Sequence, residues 1–217
     1  MSKKKVAVVT GGAGFIGSHM VDLLLGKGFE VRVIDNLSGG HRRNLQHHES
    51  NPALSTLWED IRALEPGHRA FEGADYVFHL AGIGDIVPSI ERPHEYMDVN
   101  VQGTVRVLEC ARHAQVRKLV YASSSSCYGL AATPTREDHP ISPEYPYALS
   151  KYQGEQAAFH WHTVYGLPVN SVCIFNAYGT RSKTSGAYGA VFGVFLAQKL
   201  ANKPFTVVGD GTQRRDF

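Results

Sequence analysis

Val6-Ala7-Val8-Val9-Thr10-Gly11-Gly12-Ala13-Gly14-Phe15-Ile16-Gly17-Ser18-His19 is the stretch that decides the fold. An apolar run of strand length ends in closely spaced glycines and passes into a segment with helical apolar spacing, which predicts a strand, a tight turn and a helix. Such a turn aims the first amides and the positive dipole end of the helix at an anion, so it predicts an entrance for a dinucleotide's phosphates. The glycines divide the work. One lets the backbone turn, one keeps a side chain out of the pyrophosphate's path, and Gly17 lets helix and strand pack closely. Gly12-x-Gly14-x-x-Gly17 alone would suit any tight strand-to-helix turn. Asp35 adds the ligand: it closes the next apolar run, Glu30 to Asp35, 18 residues after Gly17. A carboxylate there accepts hydrogen bonds from the adenosine ribose hydroxyls and repels a 2′-phosphate, so NAD is favoured over NADP.

Working outward, apolar runs of strand length recur at 6–10, 30–35, 55–58, 76–80, 118–122, 169–175 and 205–208. Helical spacing fills most of the intervals, most clearly at 15–27, 94–114, 146–166 and 187–202. Strands alternating with helices imply right-handed crossovers and parallel pairing, so the fold class is α/β, a doubly wound parallel sheet of the Rossmann-like, NAD-binding kind. The one long irregular stretch, Gly129 to Tyr145, contains Pro134, Pro140 and Pro143 and is expected to be a surface loop beside the site.

With 217 residues and 43% hydrophobic content the chain can bury a full core. Lysine and arginine number 22 against 20 acidic residues, a net charge of +2 that gives no footprint for nucleic acid. No apolar stretch reaches the roughly 18 residues of a membrane span, and Lys3-Lys4-Lys5 leads into a strand rather than into a signal-peptide apolar segment. The three cysteines lack Cys-x-x-Cys spacing, which points to a reducing compartment, and a cytoplasmic protein is expected. His47/His48 and His160/His162 do not have i, i+4 spacing, so no metal is expected. His79, at the end of a buried strand, reads as a satisfied core histidine, and Cys127 as a packing residue.

The fifth apolar run, Lys118 to Ala122, empties into Ser123-Ser124-Ser125-Ser126-Cys127-Tyr128-Gly129. Carboxyl ends of strands line the ligand crevice of a doubly wound sheet, so these hydroxyls should face the group beside the cofactor. Tyr147-Ala148-Leu149-Ser150-Lys151 then opens a helix, and i, i+4 spacing sets phenol and ammonium one turn apart on one face. The lysine is expected to favour phenolate. Bringing a tyrosine from about 10 towards 7 takes roughly 4 kcal/mol of differential stabilisation, which would make Tyr147 an acid/base near neutral pH.

In this order and spacing the segments Thr10 to Gly17, Asp35-Asn36-Leu37-Ser38-Gly39-Gly40, Asp60-Ile61, His79 to Gly82, Asn100 to Thr104, Ser123 to Ser125, Tyr147-x-x-x-Lys151, Asn176-Ala177-Tyr178-Gly179 and Arg215-Asp216-Phe217 resemble the extended short-chain dehydrogenase/reductase family. Within it the chain is similar to the nucleotide-sugar epimerases, the UDP-sugar 4-epimerases above all. The resemblance implies that Gly11, Gly14 and Gly17 with Phe15 and Ile16 hold the pyrophosphate, Asp35 and Asn36 the adenosine ribose, and Asp60 and Ile61 the adenine. Leu80, Ala81, Gly82 and Asn100 would line the middle of NAD. Tyr147 would be the catalytic base, Lys151 would depress its pKa and bind the nicotinamide ribose, and Ser124 would hydrogen-bond the reacting sugar hydroxyl. Asn176 and Arg215 would contact the diphosphate of a nucleotide-diphosphate sugar, a role that suits a planar donor fork.

The family's dehydratases carry an acid just after the reactive Ser/Thr, where this chain has Ser125 and Ser126; the resemblance therefore favours epimerisation through a transient keto sugar. Gly84 stands where galactose-type epimerases have a lysine. The alternatives are a dehydratase or decarboxylase of the same family, or a non-catalytic NAD-binding protein. Relatives continue beyond the Arg215 segment into a substrate lobe, so residues 1–175 are expected to be the NAD-binding domain and 176–217 the start of an incomplete substrate-binding region. On this expectation the chain is a fragment that keeps the cofactor site and has little or no activity by itself. Helices 94–114 and 146–166 pair with their copies in relatives, which implies a homodimer.

Overall fold

The computed structural model describes residues 4–182, 191–207 and 209–214. Six strands form one sheet: β1 (Val6–Thr10), β2 (Glu30–Ile34), β3 (Leu54–Leu57), β4 (Tyr76–His79), β5 (Lys118–Ser124) and β6 (Val169–Ile174). All pairings are parallel and the order is β3-β2-β1-β4-β5-β6, the doubly wound arrangement the strand and helix alternation predicts. The chain winds outward from β1 to β3, then crosses back to place β4 on the other side of β1. Ligands bind in the crevice that this reversal leaves at the strands' carboxyl ends. Register brings those ends level, since Thr10 lies opposite Ile34 on one side and His79 on the other.

The helices are α1 (Phe15–Gly26), α2 (Ile86–Glu91), α3 (Pro93–Met97), α4 (Gly103–His113), α5 (Pro146–Tyr165) and α6 (Val191–Leu200). Successive residues of a strand face opposite sides. Ala7 and Val9 of β1, with Val31 and Val33, pack against Val21 and Leu24 of α1. Val6 and Val8 face the other way, onto a core shared with Val107, Leu108 and Ala111 of α4 and Ala158 of α5. A strand covered on both faces must be apolar throughout, which is why the β1 stretch does not alternate.

Three elements differ from the sequence-based expectation. The helix expected at 94–114 begins at Pro93 and is interrupted by a π-helical turn over Asp98–Gln102. Residues 205–207, expected in a strand, are irregular and exposed, and residue 208 lies outside the described residues. The short helix α2 was not expected; its six residues are too few to display helical periodicity. No helix among the described residues is long and apolar enough to cross a membrane.

Candidate active site

The turn between β1 and α1 leaves no room for a side chain at Gly11 or Gly17. Gly11 has a φ of +70°, and a Cβ there would lie 2.7 Å from the backbone nitrogen of Ala81. At Gly17 a Cβ would stand 2.1 Å from the carbonyl oxygen of Gly11, so helix and turn approach more closely than any other residue permits. Gly14 caps α1 in an extended conformation, and no side chain accepts a hydrogen bond at that cap. Bare amides at a helix N-terminus beside the crevice, with Phe15 and Ile16 in the first turn, fit a dinucleotide's pyrophosphate.

At the end of β2 the Asp35 carboxylate is buried and already has partners. Its Oδ2 accepts from the amide of Ala13 at 2.9 Å and its Oδ1 from the amide of Leu37 at 2.7 Å. Each oxygen keeps a second lone pair, so the group both braces the glycine turn and stays able to accept a hydroxyl. Asn36 donates from Nδ2 to Asp60 at 2.9 Å. Arg62 also holds Asp60, through Nε at 3.0 Å and Nη2 at 2.8 Å. These bonds outweigh partial burial and pull the Asp60 carboxyl down to about 2. Ile61 is buried, and a Cβ at Gly103 would lie 2.6 Å from its Cδ1. The two loops expected around adenosine are therefore joined to each other before any ligand binds.

The end of β4 is wired through His79. Thr104 donates its hydroxyl proton to the carbonyl of Asn100 at 2.7 Å, so it accepts from His79 Nε2 at 2.9 Å. His79 Nδ1 in turn accepts from the Thr10 hydroxyl at 2.7 Å, and Thr10 accepts from the amide of Ala81 at 3.2 Å. The tautomer follows from these donors and acceptors. Complete burial, with a contribution from the nearby Lys151 charge, pushes the imidazole down to about 3, so it is neutral. This is the satisfied core histidine the sequence suggests. Asn100 sits in the π-helical turn, where its Oδ1 accepts from the Ile83 amide at 2.9 Å. Its Nδ2 donates to the Ile83 carbonyl at 3.0 Å and to Ser150 Oγ at 2.9 Å. Both amide protons are thus engaged by the protein, and Asn100 clamps the loop containing Leu80, Ala81 and Gly82 to α5. A Cβ at Gly82 would come within 3.0 Å of Asn100 Oδ1.

Ser124 is the last residue of β5 and Tyr147 stands in the first turn of α5, behind Pro146. The two meet: the Tyr147 hydroxyl donates to Ser124 Oγ at 3.4 Å, and Ser124 also accepts from the Ser126 amide at 3.2 Å. Ser150 donates to the Tyr147 carbonyl at 2.8 Å, which ties the same turn back to Asn100. Lys151 is buried one turn further along the helix. Its Nζ lies 4.4 Å from the centre of the Tyr121 ring, and burial pushes it down to about 8. Burial raises the Tyr147 phenol above its ordinary value, against a smaller lowering from the Ser124 hydrogen bond. The net shift of the phenol is therefore upward, because desolvation of the phenolate prevails, while the ammonium rests on the Tyr121 ring. Cys127 is buried, donates to the Ala148 carbonyl at 3.6 Å and is pushed up to about 11 by burial, as a packing residue should be.

Asn176 lies two residues beyond β6 and is exposed, while Arg215 lies outside the described residues. The segment after β6 is drawn back towards α1 by His19 Nε2, 2.9 Å from the Thr180 carbonyl, and by an ion pair of 2.8 Å between Arg181 and Asp22. Four contributors carry no role in the sequence reading: Thr10, Thr104, Ser150 and Tyr121. Thr10 alone has a visible signal, being the polar end of an otherwise apolar strand against Gly11. The others act through pairings between distant elements.

A family model described as the NAD dependent epimerase/dehydratase family matches residues 7–217. UDP-glucose 4-epimerase of Mycolicibacterium smegmatis is 38% identical over 213 residues, covering 97% of this chain and 68% of that protein. UDP-glucuronic acid decarboxylase 1 of Arabidopsis thaliana is 37% identical over 221 residues, covering 99% of this chain and 49% of that protein. Among solved structures, a UDP-N-acetylglucosamine 4-epimerase from Methanobrevibacter ruminantium M1 in complex with UDP-N-acetylmuramic acid superimposes with a TM-score of 0.93 at 34% identity, over 99% of this chain and 69% of that one. DesIV, a dTDP-glucose 4,6-dehydratase from Streptomyces venezuelae with NAD bound, gives 0.85 at 33% identity, over 95% of this chain and 65% of that one. The chain therefore spans about half to two thirds of the length of such relatives, and they differ in the reaction they are named for.

Proposed function

The chain belongs to the NAD-dependent epimerase/dehydratase family, and on that premise we propose that it is the nucleotide-binding part of an epimerase acting on a nucleotide-diphosphate sugar, a UDP-sugar 4-epimerase. Residues 1–175 are its NAD-binding domain and 176–217 the start of its substrate-binding region. The observation that carries this reading is the Tyr147 hydroxyl 3.4 Å from Ser124 Oγ, with Ser125 and Ser126 rather than acids on the turn that follows. A sugar hydroxyl placed between phenol and serine can exchange its proton with Tyr147 while Ser124 fixes its direction. Serines beside it have no carboxyl group with which to drive loss of water, so the proton returns to the same oxygen.

When bound, NAD supplies the hydride acceptor and donor together with a positive ring charge. The glycine turn and the α1 N-terminus would hold its pyrophosphate and Asp35 would accept from the ribose. Asn100 and Ser150 fix the first turn of α5, so the phenol is held against Ser124 without freedom to wander. The buried phenol keeps its proton until a positive charge offsets the desolvation of the phenolate. Lys151, one turn further along α5 and lowered by burial, would hydrogen-bond the nicotinamide ribose.

The test offers UDP-glucose, UDP-N-acetylglucosamine and UDP-glucuronate with NAD to the whole protein and follows products by NMR. Appearance of a 4-epimer, lost in Tyr147→Phe, supports the proposal. A 4-keto-6-deoxy sugar or a pentose as the product would overturn it in favour of dehydration or decarboxylation.

A further inference from the structure

Two histidines that the dinucleotide site does not use converge on a carboxylate of α1. His47 and His48 end the 3-10 helix Arg42–His48, and Asp22 lies two turns into α1. Nε2 of each ring is 2.8 Å from the same Oδ1 of Asp22. The three ligand atoms all lie within 4.8 Å of one another. The rings sit 4.1 Å apart, centre to centre, with their planes tilted by 42°. Arg181 holds the other oxygen of Asp22 at 2.8 Å, and its Nη1 is buried with no hydrogen-bond partner among the described residues.

We propose that Asp22, His47 and His48 form a binding site for a divalent transition-metal ion of the zinc class. Two imidazole nitrogens and one carboxylate oxygen are a donor set such ions prefer, with a fourth position left to water. A tetrahedral ion with bonds of about 2.0–2.1 Å holds its ligand atoms about 3.3 Å apart. The rings need withdraw from Oδ1 by only about half an ångström to accept it, well within the 4.8 Å span. His47 keeps 45% of its side-chain surface exposed, so the ion has a path from solvent. Hydrogen bonds alone require both Nε2 atoms to carry protons; the same geometry with protons on Nδ1 presents two lone pairs to one point.

Spacing along one helix does not detect this cluster, because its members come from two elements packed face to face. Arg181 is the competitor. Its Nη2 is 3.4 Å from His47 Nε2, and its charge repels a cation there while sharing the same carboxylate. The site has a structural consequence too. The turn it would clip to α1 contains Asn44, whose Nδ2 donates to the Ala13 carbonyl inside the glycine turn at 2.8 Å.

The experiment titrates zinc into tag-free, metal-stripped protein against a chromophoric chelator. One equivalent should bind with a Kd on the order of 10 μM or tighter. Asp22→Asn and His48→Ala should each weaken it at least about tenfold, with NAD binding retained as evidence of folding. A His160→Ala/His162→Ala control should bind like the parent, and Arg181→Gln should bind the ion more tightly. In the unaltered protein, cobalt(II) should broaden the ring resonances of His47 and His48 before those of other histidines. Absence of saturable binding, affinity that ignores Asp22 and His48, weaker binding in Arg181→Gln, or no selective broadening in the unaltered protein would each overturn the proposal.

Discussion

β1 and β6 are parallel strands of one sheet, yet they meet the site in opposite conditions. Every residue of β1 is buried, and the turn beyond it is so crowded that a single added carbon meets backbone within 3 Å. None of the residues of β6 is fully buried, and beyond it Tyr178 is 66% exposed. The first region is rigid because backbone packs on backbone, with Asp35 bracing it from the side. The contacts of the second with α1 include the Thr180 carbonyl on His19 and Arg181 on Asp22. On the proposed function the cofactor side would rest on the packed sheet, whereas the segment beyond β6 is tied to α1 by polar contacts. Substitutions on the two sides should fail in different ways.

The largest expected effect lies at Tyr147, on α5 against the end of β5. Tyr147→Phe should lower kcat of the whole protein by about 10³-fold, within the range for loss of a general acid/base. Thermal stability and NAD affinity should barely change, because the lost hydroxyl has only a 3.4 Å hydrogen bond to Ser124. Steady-state kinetics beside a cofactor titration checks this, and a parallel loss of NAD binding would break the distinction between the two sides. Gly17→Ala should do the reverse. With its Cβ 2.1 Å from the Gly11 oxygen the turn must shift, costing about 1–3 kcal/mol of stability and most of the NAD affinity, as read by calorimetry.

Asn100→Ala tests the clamp between the two sides. It strands the amide and carbonyl of Ile83 and removes the donor to Ser150 Oγ, at about 1–3 kcal/mol, and should reduce both kcat and NAD affinity. Asp35→Asn is expected to be milder, narrowing a preference for NAD over NADP of at least about tenfold, or 1.4 kcal/mol, when both cofactors are titrated.

The smallest effect at neutral pH concerns His79, whose folded pKa of about 3 lies below the ordinary 6.5. Between those values the unfolded chain binds a proton that the folded one refuses, so stability rises with pH through this window and is lost as pH falls. Urea midpoints should therefore drop from pH 6 towards pH 4. His79→Gln should flatten that slope while lowering the midpoint at neutral pH, since the chain from Thr10 to Thr104 is then incomplete. An unchanged slope would show that the imidazole does not titrate between the two states.

Much of the cofactor side is legible in the amino-acid sequence. Glycine spacing, Asp35 at a strand end and alternating elements are local signals, each written within a dozen residues. Tyr147 and Lys151 are legible as a pair, but their electrostatics are not. Sequence spacing says that phenol and ammonium share a helix face; it does not say that Tyr121 from β5 lies under the ammonium or that the phenol is desolvated. The π-helical turn is invisible for a similar reason. Its apolar spacing passes for an α-helix, and the backbone over Asp98–Gln102 alone shows the altered winding.

What the sequence by itself determined is the sheet, its covered faces and the position of the dinucleotide turn, because hydrophobic period and glycine placement act between near neighbours. Tertiary structure alone decided the contact of Tyr147 with Ser124, the tautomer of His79, the direction of the Tyr147 shift and the meeting of Asp22 with His47 and His48. Each of these joins residues from separate elements, where distance and burial, not chain order, set the energy.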